Sequence, residues 1–136
     1  MADRSDVELM VDLVAREQRL VAAYEAALRR DAIDASLGKA LLAHERSHLS
    51  ALQRTLAGRG SPTATVPSPE LTAALRDRRS FALYAIRLED ETVRAYADHV
   101  PRMRDAKLRQ PLGSIMVCGG AHVVSLKDSV GIPLVN

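Results

Sequence analysis

Glutamate and histidine recur in this chain at positions where helical spacing calls for an apolar residue. Met10, Leu13, Glu17, Leu20, Tyr24 and Ala27 step by three and four, as do Leu41, Glu45, His48, Leu52 and Thr55. The same stepping joins Ala82, Ile86, Glu89, Val93, Tyr96 and Val100, and then Leu108, Leu112, Ile115, Gly119, His122 and Leu126. Residues so spaced lie along one side of an α-helix. Each stripe is interrupted near its middle, by Glu17, by Glu45 with His48, by Glu89, and by Gly119 with His122. Burying an isolated carboxylate costs on the order of several kcal/mol unless charge or hydrogen bonds compensate. A bound metal ion would compensate. So would a hydrogen-bonded network holding a protonated histidine between glutamates, and the spacing alone leaves both readings open.

The elements that must carry these residues are delimited by glycine, proline and capping residues. The pattern predicts four helical stretches: from about Ser5, a candidate N-cap with Glu8 at the capping-box position, to Arg30; from Asp34 to Ala57; from Pro69 to Pro101; and from Asp105 to Val130, with Gly131 and Pro133 as stop signals. No stretch has the alternating pattern of a strand. The linker GRGSPTATVPSP, residues 58–69, can span at most about 40 Å, enough to run beside helices roughly 35 Å long. The other connections are short. The expected fold is therefore an all-α four-helix bundle in one domain over residues 1–136, with hairpins at 5–57 and 70–130 joined by a long crossover at 58–69.

The two hairpins repeat one another. Glu17 and Glu89 are each followed seven residues later by a tyrosine, Tyr24 or Tyr96. "LLAHERSHLSAL" from Leu41 and "IMVCGGAHVVSL" from Ile115 place His48 and His122 alike, each with a leucine four residues on. Glu17 and the Glu45/His48 pair are equidistant from the first turn, and Glu89 and the Gly119/His122 pair from the second. All these groups are therefore expected at one level of the core. Metal pairs in four-helix bundles use one Glu from each of two helices and Glu-x-x-His from each of the other two. Here Glu17 and Glu89 are the lone glutamates and Glu45-Arg46-Ser47-His48 is a complete Glu-x-x-His, whereas Gly119-Gly120-Ala121-His122 keeps the histidine and lacks the carboxylate.

In its helix count, crossover, duplication, paired Glu-x6-Tyr and ExxH, nearly the whole chain resembles the ferritin-like superfamily, in particular its small bacterial single-domain members. The resemblance implies terminal ligands at Glu17 and Glu89, a bridging carboxylate at Glu45 and imidazole ligands at His48 and His122. It implies one or two ions of iron or manganese, and oxidation chemistry of the ferroxidase kind at such a centre. Position 119, where a second bridging carboxylate would sit, is glycine. The alternative is a non-catalytic helical scaffold that has lost its metal centre and acts through dimerisation or a partner surface.

The remaining residues have plainer expectations. Tyr24 and Tyr96 fill the core, with hydroxyls within reach of the centre as hydrogen-bond donors. Cys118, rotated about 100° from Gly119 on the helix, reads as a small buried apolar residue. His44 is expected off the stripe at a helix–helix flank, His99 on the surface near a helix end, and Glu25, Asp90 and Glu91 in solvent. Gly119 and Gly120 each cost about 1 kcal/mol relative to alanine inside a helix. Gly119 leaves either space beside His122 for water or an exogenous anion, or room for closer approach of a neighbouring helix or subunit. The 19 basic and 17 acidic residues are intermixed with no basic run, which argues against a nucleic-acid partner. A single cysteine, no signal-like N-terminus and no long apolar run point to the cytoplasm and away from membranes. The partner expected is further copies of the chain, a homodimer first.

Overall fold

A computed structural model describes residues 4–58 and 68–134. Helix α1 spans Arg4–Arg29, α2 Ala35–Leu56, α3 Pro69–Ala74, α4 Arg78–His99 and α5 Ala106–Ser129, with a 3-10 turn at Val100–Arg102 between the last two. Residues with side-chain acceptors start most of these helices. The Asp34 carboxylate accepts from the Leu37 N–H, the Ser68 hydroxyl from Leu71, the Asp77 carboxylate from Ser80 and the Asp105 carboxylate from Lys107. Each thereby satisfies an N–H that has no partner within its own helix. Gly131, at φ 71°, ends α5 in the left-handed region that glycine tolerates.

Helices α1 and α2 pack as one hairpin and α4 and α5 as the other, with α1 set firmly against α4 and α2 meeting α5 more sparsely. Two apolar clusters fill the bundle. Leu20, Tyr24, Leu41, Phe81, Leu88 and Leu126 belong to one; Met10, Leu13, Leu52, Tyr96, Met103 and Leu112 belong to the other. These memberships run α1 and α5 one way and α2 and α4 the other. Helix α2 therefore finishes at the end opposite to the one where α4 begins, as a long crossover requires. The crossover's residues 59–67 lie outside the described residues.

Three details depart from the sequence reading. The third helical stretch is not continuous: α3 stops at Ala74, and Asp77, in extended backbone at φ −159°, caps a separate α4. The Asp77 carboxylate, which accepts the Ser80 N–H at 2.7 Å, stabilises that restart. Ser5 lies inside α1 rather than at its cap. Near the C-terminal end of α2 it is Leu56, not Thr55, that is buried. Asp6 is also buried: it accepts from the backbone N–H groups of Arg104 and Asp105, both at 2.9 Å, and so ties the start of α1 to the turn before α5.

Candidate metal centre

Between the two apolar clusters lies a polar layer. Glu17 comes from α1, Glu45 from α2, Glu89 from α4 and His122 from α5; all four are buried to within 3% of full exclusion from solvent. His48, one helical turn beyond Glu45, is 14% exposed. The five residues singled out by spacing therefore converge at one level.

Glu45 stands at the centre. Its Oε2 lies 3.3 Å from His48 Nδ1, and its Oε1 lies 2.8 Å from His122 Nδ1. His122 Nδ1 is also 3.1 Å from Glu89 Oε1, and this second contact has hydrogen-bond geometry whereas the shorter one is off-axis. Glu17 Oε2 is 3.9 Å from His48 Nδ1. Two overlapping triads result, Glu17/Glu45/His48 and Glu45/Glu89/His122, each with ligand atoms within 4.8 Å of one another and with Glu45 common to both.

The tyrosines tie the halves together reciprocally. The Tyr24 hydroxyl of α1 donates to Glu89 Oε1 of α4 at 2.7 Å, and the Tyr96 hydroxyl of α4 donates to Glu17 Oε1 of α1 at 2.6 Å. Both tyrosines are fully buried. Burial and the neighbouring carboxylates push both phenols above their ordinary range, so they remain donors.

Protons stabilise the layer when no cation is bound. Burial, with Glu45 beside it, pushes Glu17 up to about 10. Burial likewise raises Glu89 to about 7, against the opposing pull of His122. Burial alone would lower His122, but Glu45 and Glu89 raise it to about 10. Burial would raise Glu45 too, yet the flanking His122 and His48 imidazoles hold it well below the carboxylate range. Three carboxylates this close cannot all carry charge unaided.

The donor set fits a cation. With the glutamates ionised, Glu17 Oε2 and Glu45 Oε1 are buried without an aligned donor, and each belongs to a residue of the triads. Carboxylate oxygens with one imidazole per triad suit iron or manganese.

Gly119 is buried on the α4 side of α5. A Cβ there would come within 2.9 Å of Val93 Cγ2 and 3.6 Å of Glu89 Oε2, so the glycine admits a close approach of α4. Gly120 faces open space. Of the two sequence alternatives for Gly119, close helix approach is the one observed.

His44 lies off the stripe at the flank between α2 and α5, as expected, and there its Nδ1 reaches His122 Nε2 at 3.0 Å, touching the layer from outside. Two other expectations change. Cys118 is only half-buried and its Sγ lies 3.4 Å from the same His122 Nε2. His99 is 13% exposed rather than on the surface, with Nε2 on Asp12 at 2.7 Å and Nδ1 on Asp98 at 2.9 Å. The signal for His44 was present in the repeat, where it occupies the position equivalent to Cys118. Glu25 is half-buried, while Asp90 and Glu91 are exposed as expected.

Two packed helical hairpins with carboxylates and imidazoles converging midway define a ferritin-like helical bundle. Residues 5–131 match the ferritin-like domain family, and the chain belongs to that family. No curated protein and no solved structure matches it. Among the described residues, no helix is long and apolar enough to cross a membrane.

Proposed function

We propose that the protein binds iron or manganese through Glu17, Glu45, His48, Glu89 and His122 and supports ferroxidase-type oxidation. The observation that carries this reading is the pair of buried carboxylate oxygens, Glu17 Oε2 and Glu45 Oε1, left without aligned donors inside two overlapping triads. A scaffold without a centre would gain by replacing this network with apolar residues, since even a compensated buried ionic network is often no more stable than well-packed apolar side chains. In this reading Glu45 serves both triads, Glu17 and His48 complete the first, and Glu89 and His122 complete the second. Tyr24 and Tyr96 hold one oxygen each of Glu89 and Glu17, leaving the other oxygen free to face a cation. The apolar clusters above and below exclude water from the layer. Bound iron would supply electron transfer to oxygen or peroxide.

The test adds iron(II) to metal-free protein without oxygen, admits air and follows iron(III) formation. The reading expects oxidation faster than in protein-free buffer, with the excess lost in Glu45→Gln. A rate no different from buffer would overturn the oxidation assignment. The homodimer is likewise a proposal; sedimentation at micromolar concentration tests it, expecting twice the chain mass of 14.8 kDa, and a single-chain mass would refute it.

A further inference from the structure

His122 is a ring with two different sides. Its Nδ1 faces the carboxylates Glu45 and Glu89, and its Nε2 faces Cys118 and His44 at the α2/α5 flank. On that outer side the His44, Cys118 and His122 ligand atoms lie within 4.8 Å of one another. We propose that His44 Nδ1, Cys118 Sγ and His122 Nε2 form a second metal site, for a thiophilic divalent ion of the zinc(II) class. The site shares the His122 ring with the carboxylate layer but uses its other nitrogen, and its thiolate and imidazoles give it a different chemistry.

Four observations support it. First, Cys118 and His122 are four residues apart on one helix, a spacing that stacks two side chains on the same face and suits chelation. Second, the separations are already close to those of a filled site. Tetrahedral zinc with Zn–S near 2.3 Å and Zn–N near 2.0–2.1 Å sets S···N at about 3.6 Å and N···N at about 3.3 Å; here they are 3.4 and 3.0 Å. Third, the two imidazoles meet end to end, with planes within 6° and centroids 5.2 Å apart, so the two nitrogens point at one another. This is the geometry of a hydrogen bond, which an ion would replace: the exposed His44 ring must turn off that line, its Nδ1 moving by about 2 Å, to meet His122 Nε2 at the tetrahedral angle.

Fourth, the inner contacts of His122 are those expected of a ring that ligates through Nε2. Histidines bound to zinc characteristically donate their other N–H to a carboxylate, which fixes tautomer and orientation. His122 Nδ1 does this toward Glu89 at 3.1 Å. Loading releases to solvent the thiol proton and the Nε2 proton of His122, whose ring carries both protons in the metal-free layer, since a metal takes a thiolate and neutral imidazoles. His44 binds through Nδ1 with its own proton on Nε2. Metal charge of +2 then meets one thiolate and two neutral imidazoles, leaving a fourth position for water on the solvent side. A His122 engaged in this way keeps its Nδ1 proton and is withheld from the inner triad, so the two sites compete for one ring.

Cobalt(II) is the probe, because thiolate ligation gives it an intense near-ultraviolet charge-transfer absorption that carboxylate and imidazole ligation do not. Titrated anaerobically into reduced full-length protein, cobalt(II) should raise this band to saturation at one ion per chain, and zinc(II) should abolish it by displacement. Cys118→Ser should remove the band. His44→Ala, an exposed substitution that leaves the core intact, should weaken cobalt affinity by at least about 100-fold, more than loss of an outer partner costs. Glu17→Gln should leave the band unchanged, which separates this site from the carboxylate centre. Absence of the band in folded wild-type protein, or equal affinity in wild type and His44→Ala, would overturn the proposal.

Discussion

The two hairpins are built to one plan and differ at its most chemical position. Each contributes a glutamate from its first long helix, a tyrosine seven residues on and a histidine from its second long helix, and each tyrosine bonds the other hairpin's glutamate. In the first hairpin His48 sits 3.3 Å from a carboxylate of its own helix, Glu45. In the second, the equivalent place is Gly119, and His122 turns instead to Glu89 and across the bundle to Glu45. One carboxylate thus serves both histidines. The comparison teaches that a glycine where the other repeat has a glutamate need not leave that half of the layer without a carboxylate from α2 or α5, because Glu45 already faces both halves.

That asymmetry can be broken most severely at Glu45. Glu45→Gln should abolish binding of both ions, whereas Glu89→Gln should spare the Glu17/Glu45/His48 half; manganese(II) titrations on the two variants make the comparison. Equal residual binding in both would show that Glu45 is not shared.

Restoring the missing carboxylate is the next largest change. Gly119→Glu forces a Cβ against the stiff Val93 side chain, and overpacking of this kind costs about 1–3 kcal/mol. Denaturant melts should show that loss, with recovery in Gly119→Glu/Val93→Ala and an increased metal content in the double variant. Gly120→Ala, facing open space, should instead stabilise by up to about 1 kcal/mol.

Stability against pH probes the layer without mutation. In metal-free protein Glu17 and His122 both titrate near 10, against ordinary values of 4.5 and 6.5. The folded state then binds more protons than the unfolded state, so unfolding free energy falls as pH rises. The loss begins above 4.5 for Glu17, is joined above 6.5 by His122, and is complete past about 10 for both. Glu45, held low, has the opposite sign, and its contribution disappears below 4.5. Denaturation at fixed ionic strength should therefore show metal-free stability declining from pH 6.5 upward. Saturating manganese should flatten or reverse this slope, since metal binding displaces these protons. A metal-free profile that rises over the same range would contradict the assignment.

The smallest effects test symmetry itself. At about pH 6, where Glu17 (about 10) and Glu89 (about 7) both keep their protons, Tyr24→Phe and Tyr96→Phe each remove one hydrogen bond to a neutral carboxyl group, worth about 0.5–1.5 kcal/mol. Reciprocal geometry predicts losses within about 1 kcal/mol of each other. A markedly larger loss at one site would show that the glutamates carry different charge.

Much of this was legible from residue spacing. Apolar stepping of three and four located the long helices, and the caps Asp34 and Asp105 marked where two of them begin. Equidistance from the turns placed Glu17, Glu45, Glu89 and His122 in one layer. The break before Arg78 was not legible, because Asp77 differs from a surface helical aspartate only by the backbone it adopts. The contact of His44 with His122 was not legible in the stripes either, only in the repeat, where His44 matches Cys118. Stripe analysis sorts residues by the face they share within one helix, whereas His44 and Cys118 meet across two helices at a flank, where sparse packing leaves both polar and half-apolar residues acceptable.

The central claim is that the buried carboxylate layer holds metal, and the most direct measurement is metal content per chain. Protein purified after growth with added iron and manganese, and analysed for both elements, should carry between one and two equivalents that Glu45→Gln removes. A content near zero in folded wild-type protein, unchanged by restoring the carboxylate in Gly119→Glu/Val93→Ala, would contradict the account.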